Sequence, residues 1–300
     1  MKKKYKMAGK PSVQEVTMRR QKIKKDRSRL KLEIFAALAL GVVLTAIFAR
    51  QLCPYDPYLQ DYANALLPPS LSHPFGTDRF GRDMLSRVIM GSQVSIFSTL
   101  ILVAVMAGVG TCVGVICGWA GGVTDNVIMR ISDLCLAFPG LVFALAVAAL
   151  LGGGIQNAVI ALAVVSWPKY SRIARSQTMA VKGSDFIHAS RMAGCTGIQI
   201  IWRHILPNIL GQIIVTAMAD IGTMMMELAG LSFLGLGAMP PVPEWGSMMS
   251  SGRSMIQTYP WVVITPGIGI FVCVAVFNLF GDGVRDYLDK RRQISRCPDV

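Results

Sequence analysis

Three stretches without a single charged side chain decide what this chain can be: Val88–Thr124, Leu134–Pro168 and Ser254–Gly281. A helix crosses the hydrocarbon layer of a bilayer with about 20 consecutive apolar residues. The first two stretches are long enough for more than one crossing, or for one crossing and a turn. A soluble domain is excluded by the same pattern, since 53% of the 300 residues are hydrophobic and only 16% are charged. The runs are not alternating ten-residue segments, so the expected fold is an all-α membrane bundle and not a barrel.

Apolar runs and breakers give six spans, at about 32–48, 92–119, 133–151, 157–173, 209–236 and 261–280. "GGG" at 152–154 marks a tight turn, and "PPVPEWG" at 240–246 breaks the chain after the fifth span. The organisation is a basic arm over 1–31, a six-helix domain over 32–284 and a tail over 285–300.

The net charge of +13 raises the question of nucleic acid. Its distribution argues for a membrane instead. Thirteen Lys or Arg crowd into residues 1–31 against two acids, Glu15 and Asp26, directly before an apolar run. Such an arm stays in the cytoplasm and touches anionic headgroups. "IFARQLC" after that run has no small-x-small cleavage pattern, so the run is expected to be a retained anchor. With the N-terminus inside, Lys169, Arg172, Arg175, Lys182, Arg191 and Arg203 fall in one cytoplasmic loop with a single acid, Asp185. The stretch 50–87, on the other side, balances four bases with four acids. Both termini are therefore placed in the cytoplasm.

Within the spans, Gly110, Gly114 and Gly118 share one helix face, where a second backbone can approach closely. Pro139 and Pro266 should each kink a span. The seven cysteines are scattered without a Cys-x-x-Cys pair and read as buried small hydrophobes. External "GTDRFGRD" at 76–83 fits either a bridge to another protein or a loop that satisfies its own ion pairs.

The loop over about 174–208 is unusual. Ser184 is a candidate N-cap, Asp185 suits a first turn, and Gly194 is a natural stop. Between them Phe186, Ala189, Ser190 and Ala193 share a face of small side chains with one large anchor, while His188 and Arg191 point elsewhere. Thr196 should cap a second short helix, in which Ile198, Ile201, Trp202 and Ile205 form an apolar stripe ended by Pro207. Two short amphipathic helices can lie in the headgroup layer or dock into a groove of a soluble partner. Their pattern alone does not choose.

"HASRMAG" followed by "IIWRHILP" resembles the cytoplasmic signature of ABC importer permeases, an acid-Ala-Ala followed by Gly and then Ile-x-Leu-Pro. Gly194, Ile205, Leu206 and Pro207 match, as does Ala189. Ser190 replaces the second Ala, and His188 replaces the acid. "HPFGTDRFGRDMLSRVIMGSQVS", "FPG", "LAGLSFLGLGAMPPVPEWGSMM" and "FNLFGDGVRDYLD" resemble the peptide and nickel branch, in the same order, over about 30–290. "DIGTMMMELAGLSFLGLG" leans toward nickel permeases.

The resemblance implies a type I importer permease with two short cytoplasmic coupling helices, sitting in a bacterial cytoplasmic membrane. It implies two ATPase subunits that use ATP and Mg, a second permease, and an external solute-binding protein. The cargo would be nickel, free or chelated, or a di- or oligopeptide. Phe186, His188, Ala189, Ser190, Arg191, Ala193, Gly194, Ile205, Leu206 and Pro207 would then be the ATPase-coupling set. A self-contained secondary transporter or channel is the alternative.

No Gly-x-x-x-x-Gly-Lys-Ser/Thr loop and no histidine cluster occurs, so no cofactor and no catalytic site are expected in this chain. Asp220, Met224 and Glu227 lie on nearly one face of the fifth span. Acids at membrane depth are costly and face a cavity or a partner. They are candidates for the translocation pathway, or else a buried structural pair.

Overall fold

A computed structural model describes residues 13–294. The first twelve residues of the basic arm, together with Arg296 and Cys297, lie outside the described residues. Among the described residues every extended element is a helix, and the only bridge is an isolated one between Thr77 and Asp83.

In chain order the helices are α1 (Val13–Ile47), α2 (Ala49–Leu52), α3 (Met84–Ala120), α4 (Gly122–Ala137), α5 (Gly140–Leu150) and α6 (Ile155–Lys182). Then follow α7 (Asp185–Met192), α8 (Gly197–Ile200), α9 (Leu206–Phe233), α10 (Trp245–Gly252) and α11 (Trp261–Ile294). Four helical stretches are long and apolar enough to cross a membrane: Arg29–Ile47, Met84–Ala120, Gly197–Phe233 and Trp261–Leu288. Helices α4 and α5 count as a fifth only if the pair, bent by 96°, is taken as one broken span and not as a re-entrant loop. The expected fourth span, 157–173, lies inside α6, which is not among these stretches.

Several expected boundaries move, each for a physical reason. Helix α1 begins inside the basic arm, because nothing between Val13 and Lys31 breaks a helix. Helix α3 starts at Met84, not near 92, because the Asp83 carboxylate accepts the Ser86 N–H and hydroxyl (2.8 and 2.7 Å) and caps it there. The stretch after Gly121 is not a loop but α4. Pro139 does not kink one span. It separates two helices, because Phe138 before it is held extended (ψ 150°). Helix α11 runs through Pro266 near its start and continues well past Gly281.

Helix α3 packs most extensively against α6. The glycine face explains how. A Cβ on Gly110 would stand 2.5 Å from the Trp167 carbonyl oxygen, and one on Gly114 would stand 2.3 Å from that of Ser171. One on Gly118 would meet Thr178 at 2.8 Å. The two backbones touch along this seam, as the fourfold spacing predicts. Helix α9 fills the other side, against α11, α3 and α6, and α1 lies on α11 and α3. Three consecutive glycines, Gly152 to Gly154, all with positive φ, join α5 to α6.

One end of the bundle is closed by the loop before α3 and by α10. Asp78 pairs with Arg82 (2.7 Å), and His73 reaches Asp83 (3.0 Å), so both acids of "GTDRFGRD" find partners close by in the chain, while Arg79 is exposed over the Phe80 ring. Trp245 donates its indole N–H to the Val88 carbonyl (2.9 Å), and Ser95 bonds the Glu244 carboxylate (3.3 Å). Of the described cysteines only Cys117 and Cys273 are buried. Cys53, Cys135 and Cys195 are half-buried and Cys112 is exposed, so the expectation of burial holds for two. All six are free thiols.

Candidate functional site

The end of the bundle opposite α10 carries the segment 184–208. Ser184 occupies the N-cap of α7, but its hydroxyl turns back to the Val181 carbonyl (2.6 Å) and makes no cap bond. Gly194 ends the helix with φ +83°, a conformation that side chains resist. Thr196 forms a full capping box with Gln199 at the start of α8.

Helix α7 buries one residue, Ile187. Phe186, expected to be the anchor, is about half exposed, with its ring beside that of His204. Ala189 and Ala193 are exposed, and Ser190 is half-buried, with its hydroxyl bonded to the Phe186 carbonyl (2.7 Å). His188 is exposed. Arg191 lies over the ring of Trp119, its guanidinium carbon 5.0 Å from the ring centre. The small-residue face is therefore open, and the helix hangs from the bundle by Ile187.

The second short helix is not separate. Residues Ile201–Ile205 form a π-turn that passes directly into α9, with the Leu206 N–H bonded five residues back to Ile201. Pro207, expected as a terminator, sits in the first turn of α9, directly after the π-turn. The wider π-turn accommodates the ring. The expected stripe divides accordingly. Ile205 is buried and Ile201 partly so, whereas Ile198 (72% exposed) and Trp202 (69%) face outward. Met192, at 91%, adds to the same outward apolar surface. Leu206 is half-buried and Pro207 exposed.

Asp220, Met224 and Glu227 lie on α9. Asp220 is buried and engaged. Lys169 Nζ reaches one carboxylate oxygen (2.6 Å), and the Tyr170 hydroxyl donates to the other (2.9 Å). Met224 is buried in the core cluster. Glu227, two turns along, is half-buried and has no hydrogen bond or ion pair among the described residues. Lys169, which sequence pattern groups with the loop charges, belongs instead to α6. So do Arg172 and Arg175, which reach Asp133 and Asp125 of α4, the latter at 2.5 Å. The loop of about 174–208 thus begins as helix: α6 runs on to Lys182, with Arg175 held by Asp125 of α4.

Sequence reasoning missed Ile187, Trp119, Lys169 and Tyr170. A tryptophan just before the "AGG" break was a usable signal for Trp119. The others depend on contacts far apart in sequence. Among the described residues, no group of three or more His, Cys, Asp or Glu could hold a metal ion.

Residues 110–294 match the family model described as binding-protein-dependent transport system inner membrane component. The chain is 43% identical over 258 residues to the glutathione transport system permease protein GsiD of Escherichia coli O6:K15:H31, with 85% of each chain covered. The GsiD protein of Shigella boydii serotype 4 matches equally, at 43% over 85% of each chain. Among solved structures, an inward-facing MetNI methionine ABC transporter chain superposes with a TM-score of 0.55 at 21% identity. That alignment covers 67% of this chain and 96% of the other, and it supports the fold.

Proposed function

Because the chain belongs to the family of binding-protein-dependent transport system inner membrane components, we propose that it forms half of the path by which an ABC importer passes a small peptide-like solute. It is a permease subunit of an ABC importer and not an enzyme. Chains of this family work with ATPase subunits, a second permease and a solute-binding protein, in the inner membrane. The alternative of a self-contained carrier is not favoured by that membership.

The observation that carries the mechanism is the open face of α7. A helix that buries only Ile187 and presents Phe186, Ala189 and Ala193 outward is shaped to enter a groove. We assign that groove to an ATPase subunit, which would bind the ATP and Mg. The coupling set is Phe186, His188, Ala189, Ser190, Arg191, Ala193 and Gly194, continued by Ile205, Leu206 and Pro207. The basic residues at this end support a cytoplasmic placement, with both termini on that side.

The cargo reading rests on the relatives' names, which specify glutathione. The lean toward nickel finds no support there. Glu227 suits a cargo with an ammonium group, since its carboxylate is half-buried and unpaired, whereas Asp220 serves to hold Lys169 and Tyr170 in place. Glu227→Gln should lower glutathione uptake roughly ten- to hundredfold, the worth of one hydrogen bond to a charged group. Assembly with the ATPases should be unaffected. Asp220→Asn should instead destabilise the chain, because it weakens the bond held by the buried Tyr170 hydroxyl and removes the charge paired with Lys169. Uptake assays in proteoliposomes decide this, and undiminished uptake by Glu227→Gln ends the Glu227 assignment. Calorimetry on the cognate binding protein tests the cargo, and binding of nickel without glutathione would overturn it.

A further inference from the structure

Trp119 stands where three elements of the 184–208 end converge. It closes the last turn of α3. The Lys182 ammonium donates to its carbonyl (2.5 Å) and lies 5.5 Å from its ring centre. From α7, Arg191 covers the ring at 5.0 Å. From α8, Gly197 is pressed so close that a Cβ there would meet the indole at 3.1 Å.

What Trp119 is joined to matters as much. Helix α3 has 37 residues, about 55 Å at 1.5 Å per residue. Its seam of Gly110, Gly114 and Gly118 locks it to α6. Its far end holds the closing elements of the bundle, through Val88 to Trp245 and through Ser95 to Glu244. Close-packed interfaces of this kind move as units instead of deforming.

We propose that Trp119 is the positioning residue through which movement of α7 and α8 enters α3, and through it the α10 end of the bundle. Cation–π contacts from α6 and α7 and a glycine contact from α8 make the indole a bearing that follows the coupling segment. Lys182 ties the same point to α6, so α3 and α6 move together. This rests on the reading of α7 as the ATPase-docking helix.

The test uses the full complex in proteoliposomes, with the seven native cysteines replaced by serine and a single reporter cysteine at the far end (S251C). Its labelling is compared with and without vanadate trapping of the ATPases. With Trp119 and Gly197 intact, labelling should change by about fivefold or more, the lower range of allosteric coupling. Trp119→Ala should keep ATP hydrolysis but abolish the labelling change, and Trp119→Phe should restore much of it. Gly197→Ala should weaken the response by crowding the indole, and the pair Trp119→Phe with Gly197→Ala should recover it, a non-additive result. A full response in Trp119→Ala overturns the proposal. So do additive effects of Trp119→Phe and Gly197→Ala in the paired variant, which decide the matter if Trp119→Ala does not assemble. No change with Trp119 and Gly197 intact, while the ATPases still hydrolyse ATP, overturns the proposal too, because movement then does not reach the α10 end; normal coupling in Ala189→Arg would instead overturn the reading of α7 as the docking helix, a separate failure.

Discussion

Ala189→Arg should abolish coupled uptake while leaving the bundle folded. Ala189 is exposed on a helix anchored elsewhere, by Ile187, so an arginine there points away from the bundle. In a groove that accepts a small side chain, the same arginine is both too large and unpaired. Central interface substitutions of this kind cost about 2 kcal/mol or more, roughly a thirtyfold loss of productive docking. Vesicle uptake should fall accordingly, with ATPase subunits released in detergent. Gly194→Glu should act in the same direction by a different route. At φ +83° the backbone resists any side chain, at about 1–2 kcal/mol, which tilts α7 away from its docking pose. Normal coupling in both variants would count against α7 as the docking helix.

Gly114→Val should prevent the bundle from assembling at all. A Cβ at Gly114 stands 2.3 Å from the Ser171 carbonyl oxygen and 2.8 Å from the Ala174 Cβ. The obstacle is backbone, so no side-chain rotation relieves it. Overpacking costs about 3 kcal/mol where side chains can still shift, a roughly hundredfold change in the folded balance, and more is expected here. The measurement is the yield of monodisperse protein after detergent extraction. Gly108→Val is the control, since a Cβ at Gly108 meets nothing within 4 Å. Equal yields for the two variants would refute the glycine seam.

These two residues also mark what the sequence could disclose. The seam was readable because helical geometry alone places Gly110, Gly114 and Gly118 on one face. The α7 face was readable for the same reason, but the side on which the helix is anchored was not. Spacing identified Phe186 as the large residue, while the contact that fixes the helix belongs to Ile187 on the other side. Helix ends were misjudged where charges follow an apolar run. Lys169, Arg172 and Arg175 look like the beginning of a loop until Asp220, Asp133 and Asp125 are found opposite them. Prolines misled in both directions. Pro139 breaks a helix pair through 96°, whereas Pro207 is absorbed by a π-turn. In each case the outcome depends on the preceding residues' hydrogen bonds, which local pattern does not reveal.

For the mechanism, the side of the membrane on which the 184–208 segment lies matters more than any other single fact. Cys195 lies within it, half-buried and free, and offers a native probe. In a variant retaining Cys195 as its sole cysteine, a membrane-impermeant maleimide should label inside-out vesicles and leave intact cells unlabelled. Labelling of intact cells, with inside-out vesicles protected, would place the segment where no ATPase could reach it and contradict the account.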